Sequence, residues 1–225
     1  MRVKTLVTAC FFFICNLVLA QNTCNTYYPF KKGAKFEITN YNKKGKKENV
    51  SKYEVTDINN NVATIKTTVN DNKNKELITS SYALTCNGNS ISFDFKSMIN
   101  PEIYKQYKDV DMEMTGTNLE LPNDLQIGQK LKDANLNLAM NMSGIKMNMT
   151  IDITNRSVNA KESITTPAGT FNCFALSYTN EMKMGMKMTF KIKEWIAEGV
   201  GVVKSESYNK NGKLMGYSEL TNFIK

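Results

Sequence analysis

The sequence predicts an all-β chain: an antiparallel meander that forms a strongly curved sheet or open barrel, with one short helix. Three observations lead there. From residue 34 onward apolar and polar residues alternate with period two, which is the side-chain repeat of a half-buried strand. Short Asn/Lys/Gly clusters interrupt that alternation at the spacing of hairpins. Helix-start chemistry is confined to a single place, Asn100-Pro101-Glu102, where a cap, a first-turn proline and an acid precede IYKQYK (103–108).

The first half reads as consecutive hairpins. Candidate strands are 35–41, 50–58, 62–70, 76–86 and 90–95, separated by NKKGK (42–46), NNN (59–61), NDNKN (70–74) and NGN (87–89). Asn and Gly suit these turns because they tolerate positive φ, and Asn also bonds its own backbone. YNKKGK (41–46) and YNKNGK (208–213) share one pattern, which predicts a left-handed Gly45 and Gly212. TTPAGTF (165–171) predicts another tight turn, with Pro167 fixing φ and Gly169 relieving it.

The most regular stretch is 134–154. A two-residue loop at Ser143-Gly144 sets Met142 opposite Ile145, Met140 opposite Met147, Leu138 opposite Met149 and Leu136 opposite Ile151, all on one face. Asn137, Asn141, Lys146, Asn148, Thr150 and Asp152 fall on the other. EMKMGMKMTF (181–190) obeys the same rule, since Phe174, Leu176, Tyr178, Met182, Met184, Met186, Met188, Phe190 and Ile192 share parity. One strand through all of them would run roughly 60 Å, so a turn at Gly185 is required. That turn pairs Met182 with Met188 and Tyr178 with Ile192. Trp195 is expected to anchor the core near the last hairpin.

Residues 1–20 have the layout of a secretory signal: Arg2 and Lys4, an apolar run to Leu19, and Ala20 at the expected cleavage point. The expected product is a single β domain, 21–225, exported to the periplasm, cell envelope or medium and not membrane-spanning after cleavage. Removing Arg2 and Lys4 lowers the formal charge from +8 to +6. The lysines crowd into turns, as solubilising charges do, so nucleic acid is not an expected partner. Cys24, Cys86 and Cys173 remain, enough for one disulfide and one thiol; three pairings are open, and Cys24–Cys86 is the candidate.

The chain has no histidine, which removes Ser-His-Asp and Cys-His catalysis and the commonest zinc ligand. It has no CxxC, no Walker loop and no complete GxGxxG, and carboxylate pairs such as Asp109/Asp111 and Glu194/Glu198 are what solvated faces supply. The expectation is a non-enzymatic protein without a cofactor. Thioethers are the one unusual resource. The apolar face formed by Leu138, Met140, Met142, Met147, Met149, Met182, Met184, Met186, Met188 and Phe190 is the expected lining for a lipid-like or other apolar small molecule, or the core of a structural module that meets an envelope protein partner. Met182, Met184, Met186 and Met188 are also the alternative ligands for a soft metal, Cu(I) or Ag(I).

Several segments carry a family likeness: TTPAGTFNCFALSYT (165–179), EWIAEGVGVVKSESYNKNGKLMGYSELTNF (194–223), GAKFEITNYNKKGK (33–46) and LPNDLQIGQKLKDA (121–134). Together they resemble secreted domain-of-unknown-function proteins common in Bacteroidota, similar to those labelled TapB-like, and the likeness covers most of the chain after residue 20. It implies an exported, mostly antiparallel β domain and an open half-barrel similar to lipoprotein carriers such as LolA. It implies no catalytic residues.

Overall fold

Antiparallel pairing organises the chain throughout. The computed structural model describes residues 26–94, 111–142 and 145–224, and within them thirteen strands make one sheet. They are β1 (Lys35–Asn42), β2 (Lys47–Asn59), β3 (Val62–Asp71), β4 (Glu76–Cys86), β5 (Ser90–Phe93), β6 (Asp111–Thr117), β7 (Leu119–Pro122), β8 (Ala134–Met142), β9 (Ile145–Thr166), β10 (Gly169–Met184), β11 (Met186–Ala197), β12 (Gly201–Asn209) and β13 (Leu214–Ile224). Among the described residues there is no helix; the segment expected to be helical, 100–108, lies outside them. The strand expected at 76–86 has those bounds, and the others begin or end within three residues of expectation.

Turn chemistry sets the hairpins as expected, with one addition. Asn42 Oδ1 accepts from the amides of Lys44 and Lys46, and Asn209 Oδ1 accepts from those of Asn211 and Lys213. Gly45 and Gly212 take φ of 75° and 77°. A third copy, not singled out from the sequence, uses Asp71 as the acceptor for Lys73 and Lys75, with Asn74 at φ 65° in the glycine's place.

The order β6-β8-β9-β10-β11-β12-β13-β1-β2-β3-β4-β5-β7 puts β6 and β7 at opposite edges. Yet a single residue, Asn118, separates them in the chain. One residue reaches only about 4 Å, so the two edges lie side by side and the sheet is curled almost shut. The open half-barrel expected from the family likeness is therefore corrected to a nearly closed barrel. The segment after β7 stitches this seam. Gly128 N donates to Val158 O, Val158 N to Gln129 O and Leu131 N to Arg156 O, and Lys130 bridges Ser157.

Apolar residues gather in two clusters. The larger joins Tyr27, Tyr28 and Ala34 of the N-terminal arm to side chains from β2–β5, β7 and β9–β11, among them Ile65, Ile91, Val158 and Leu176. The second surrounds Trp195 with Cys173, Ala175, Val203 and Leu220. Neighbouring residues on a strand point to opposite sides. Leu176 and Ile196 thus enter the first cluster, whereas Ala175, Trp195 and Ala197 enter the second, and here the β10–β11 pair is covered on both faces. Trp195 anchors the core as expected.

Cys173 is a free thiol within the second cluster, and burial together with the nearby Glu162 charge pushes it up to about 11. At pH 8 only roughly one thiol in a thousand is then ionised. Iodoacetamide is expected to leave Cys173 unmodified in the native protein and to alkylate it in guanidinium, as mass spectrometry would show. Native labelling at the rate of a small free thiol would contradict the packing described. Cys86 is disulfide-bonded, and Cys24 lies outside the described residues.

Candidate functional site

A cavity of about 180 Å³ opens in the larger cluster. Its walls are apolar, with Tyr28, Phe93, Leu119, Leu121, Leu176 and Ile196 prominent, and on one side Arg156, Tyr178 and Glu194 converge. A wider cleft of about 400 Å³ on β1–β3 is lined by lysines and glutamates of the sheet surface, such as Lys35 and Glu54, which pair at 3.3 Å. That is the chemistry of a solvated face. An apolar pocket with a few convergent polar groups is the better candidate site.

A β-bulge aims Arg156 inward. On β9, Ile151 and Ile153 face the same way as Met182 and its neighbours, but Val158, of the opposite parity, also reaches the inner cluster. The register slips between Thr154 and Ser157, with Asn155 at φ 56°. Arg156 is only 5% exposed and donates to Glu120 O of β7 at 2.8 Å and to Lys132 O. A planar guanidinium can bridge two carbonyls in this way, whereas an ammonium offers no such fork. Desolvation pulls its pKa down, against the attraction of Glu194.

Glu194 accepts from Tyr178 Oη at 3.2 Å. Burial raises its pKa above the ordinary carboxylate value; the Tyr178 hydrogen bond and the Arg156 charge offset that only in part. Glu194 and Glu198 are both expected, from the sequence, on a solvated face; Glu198 is exposed, but Glu194 lies on the cavity wall. A native carboxyl that binds its proton more tightly than the unfolded one loses stability as pH rises through the window between the two pKa values. Glu194→Gln is therefore expected to raise the melting temperature at pH 7, with the gain vanishing as pH falls below about 4. A gain that persists in acid would mean the carboxyl is not the cause.

The methionine pairs form in the expected register. Leu138 pairs with Met149, Met140 with Met147 and Met142 with Ile145; Met182 pairs with Met188 and Met184 with Met186, around Gly185 at φ 74°. Ile151 links the two hairpins by pairing with both Leu136 and Met182, so Leu138, Met140, Met147, Met149, Met182, Met184, Met186 and Met188 share one face. Leu138 is buried, Met140, Met147, Met149, Met182 and Phe190 are half-buried, and Met184, Met186 and Met188 are 60%, 80% and 43% exposed. Among the described residues no methionine lines the 180 Å³ cavity. The register of β10 with β11 is unbroken from Cys173 to Met184, however, so the methionines continue the face on which Tyr178 and Glu194 stand.

Sequence reasoning missed Arg156, Tyr178 and Glu194 as a group. One signal was readable: of 29 basic residues two are arginines, Arg2 and Arg156. A chain that meets solvent with lysine keeps its one arginine after residue 20 for a buried bridge.

The family model described as DUF3108-like matches residues 31–220, from the N-terminal arm into β13. The chain belongs to the DUF3108-like family. No curated relative matches it. This DUF3108-like fold is similar to that of a candidate exported protein with YmcC-like fold from Bacteroides fragilis NCTC 9343, at 23% identity and a TM-score of 0.70 over 90% of this chain and 100% of that one. A candidate lipoprotein from Parabacteroides distasonis ATCC 8503 is similar at 20% identity and a TM-score of 0.69, over 89% and 99% of the two chains. Both likenesses concern the fold. The TapB-like label is not part of what the DUF3108-like match supports.

Proposed function

We propose that this is a non-enzymatic exported protein of the cell envelope that holds a lipid-like apolar ligand. The observation that carries the reading is a continuous inner face of β10–β11, apolar and exposed at its methionine tip, apolar and enclosed at Leu176 and Ile196. Solvent-exposed thioethers in consecutive cross-strand pairs are costly to leave wet, and their flexible, polarizable chains fit varied apolar shapes. The signal-like residues 1–20 and the names of the two structural neighbours support export.

Native mass spectrometry of protein purified by its own export route tests this, and a retained lipid mass is the expected result. After delipidation, a fluorescent apolar probe such as 1-N-phenylnaphthylamine is expected to bind, and Met182→Glu with Met188→Glu to weaken it more than tenfold. Wild-type protein that neither retains lipid nor binds the probe would leave only a structural module.

A soft-metal site is the second reading, favoured by the direct pairing of Met182 with Met188 and Met184 with Met186. It requires Ag(I) to raise the melting temperature and Met182→Leu with Met184→Leu to abolish the rise.

A further inference from the structure

The strand register gathers turns that are far apart in the sequence at one end of the barrel. Asn42 lies beside Gly216, Asn49 beside Asp71, Phe190 beside Asn209 and Lys183 beside Thr150, so the turns 43–46, 72–75, 185 and 210–213 and the start of β9 share that end. Three exposed lysines stand in 43–46, two in 72–75 and two in 210–213, with no acid in any of these turns; Lys146, Lys183 and Lys187 are exposed beside them. Of the acids that flank the turns, Asp71 is held by the amides of its own turn and Glu181 offsets Lys187 alone. The hairpin turns at the opposite end, 60–61, 87–89, 167–168 and 198–200, contain no basic residue. Lysines dispersed along the chain thus become one basic rim.

The same end carries most of the exposed apolar surface. Among the described residues eight large apolar side chains are exposed, and six of them, Leu77, Ile78, Met184, Met186, Met188 and Met215, lie within three residues of these turns. Apolar tips among lysines match a surface that is negatively charged outside and hydrocarbon just beneath. A polyanion such as a nucleic acid answers the lysines but leaves the methionine tip in water.

We propose that this end of the barrel docks on an anionic lipid bilayer, with Met184 and Met186 entering the acyl boundary and the turn lysines resting on headgroup phosphates. The chain meets the membrane from outside and does not span it. The inference goes beyond the apolar-ligand reading and stands without it; where both hold, the methionine face opens onto the bilayer. Each lysine close to an anionic surface strengthens attachment about fivefold, an effect that salt screens.

The test is co-flotation of the exported protein with vesicles of phosphatidylcholine, alone or mixed in equal parts with phosphatidylglycerol. Binding to the anionic vesicles is expected to be at least tenfold tighter and to weaken as salt rises. The triple variant Lys43→Gln, Lys44→Gln, Lys46→Gln is expected to lose more than tenfold, and Met184→Gln with Met186→Gln about tenfold, both with unchanged melting temperatures because the side chains are exposed. An environment-sensitive dye on Met186→Cys is expected to shift to the blue on anionic vesicles, the buried Cys173 staying unlabelled. Binding that the methionine variant leaves intact, with the dye still in water, makes the rim a general polyanion site and overturns docking. Equal binding to both vesicles, or none, overturns it as well. If 1-N-phenylnaphthylamine still binds in that case, the apolar-ligand reading stands; vesicle binding without probe binding leaves docking alone.

Discussion

Arg156→Met is expected to destabilise the protein by about 3–5 kcal/mol, read as a lower urea midpoint at unchanged slope. The side chain keeps most of its volume, so the loss is not one of packing. Two carbonyls at the seam, Glu120 O and Lys132 O, lose charged donors, each worth about 1.5–3 kcal/mol. Glu194 loses the nearby positive charge that offsets its desolvation. The second effect has its own signature: adding Glu194→Gln to Arg156→Met should recover part of the loss, a non-additivity characteristic of groups in one network. A loss below about 1 kcal/mol would mean that the backbone bonds between 128–131 and β9 hold the seam without the guanidinium.

Trp195→Ala should cost about the same, 3–5 kcal/mol, for a different reason. The indole shares its cluster with Phe36 and with Cys173, Ala175, Val203 and Leu220, the last four fully buried. Those partners cannot expand into the space it leaves, so a cavity remains. Its Nε1 donates to Glu162 Oε1 at 2.7 Å, and Lys193 lies 4.4 Å from the ring centroid. Glu162 and Lys193 are themselves half exposed to water, so Trp195→Phe, which keeps an aromatic ring and loses the N–H, is expected to cost only about 1 kcal/mol. Thermal melts of the two variants separate the terms. Equal losses would place the stabilisation in the hydrogen bond rather than in the packing.

The contrast between these two residues shows where sequence reading reached. Trp195 was legible as a core anchor because a lone tryptophan flanked by period-two strands has few other roles. Arg156 was not, because its importance depends on a bulge at Asn155 that reverses the facing of β9 and on carbonyls far from it in the chain. The parity change from Ile153 to Val158 marks that bulge, but only for a reader who already knows that both residues face the same interior. Glu194 looked like one of many surface carboxylates for a related reason: its environment is supplied by Tyr178 on the next strand and by Arg156 across the register.

What the sequence determined by itself was local. Alternation of side chains set the strands, positive-φ residues set the turns, and the two together specified the methionine pairs of both hairpins to the residue. The tertiary structure alone decided closure. With only Asn118 between strands at opposite edges, the sheet had to curl until those edges came close, and that curling created the seam, the cavity and the burial of Arg156 beside Glu194. Periodicity reports which side of a strand is apolar, because that is a property of neighbouring residues. It is silent on how far a sheet bends, because bending is settled by contacts between residues the chain keeps far apart.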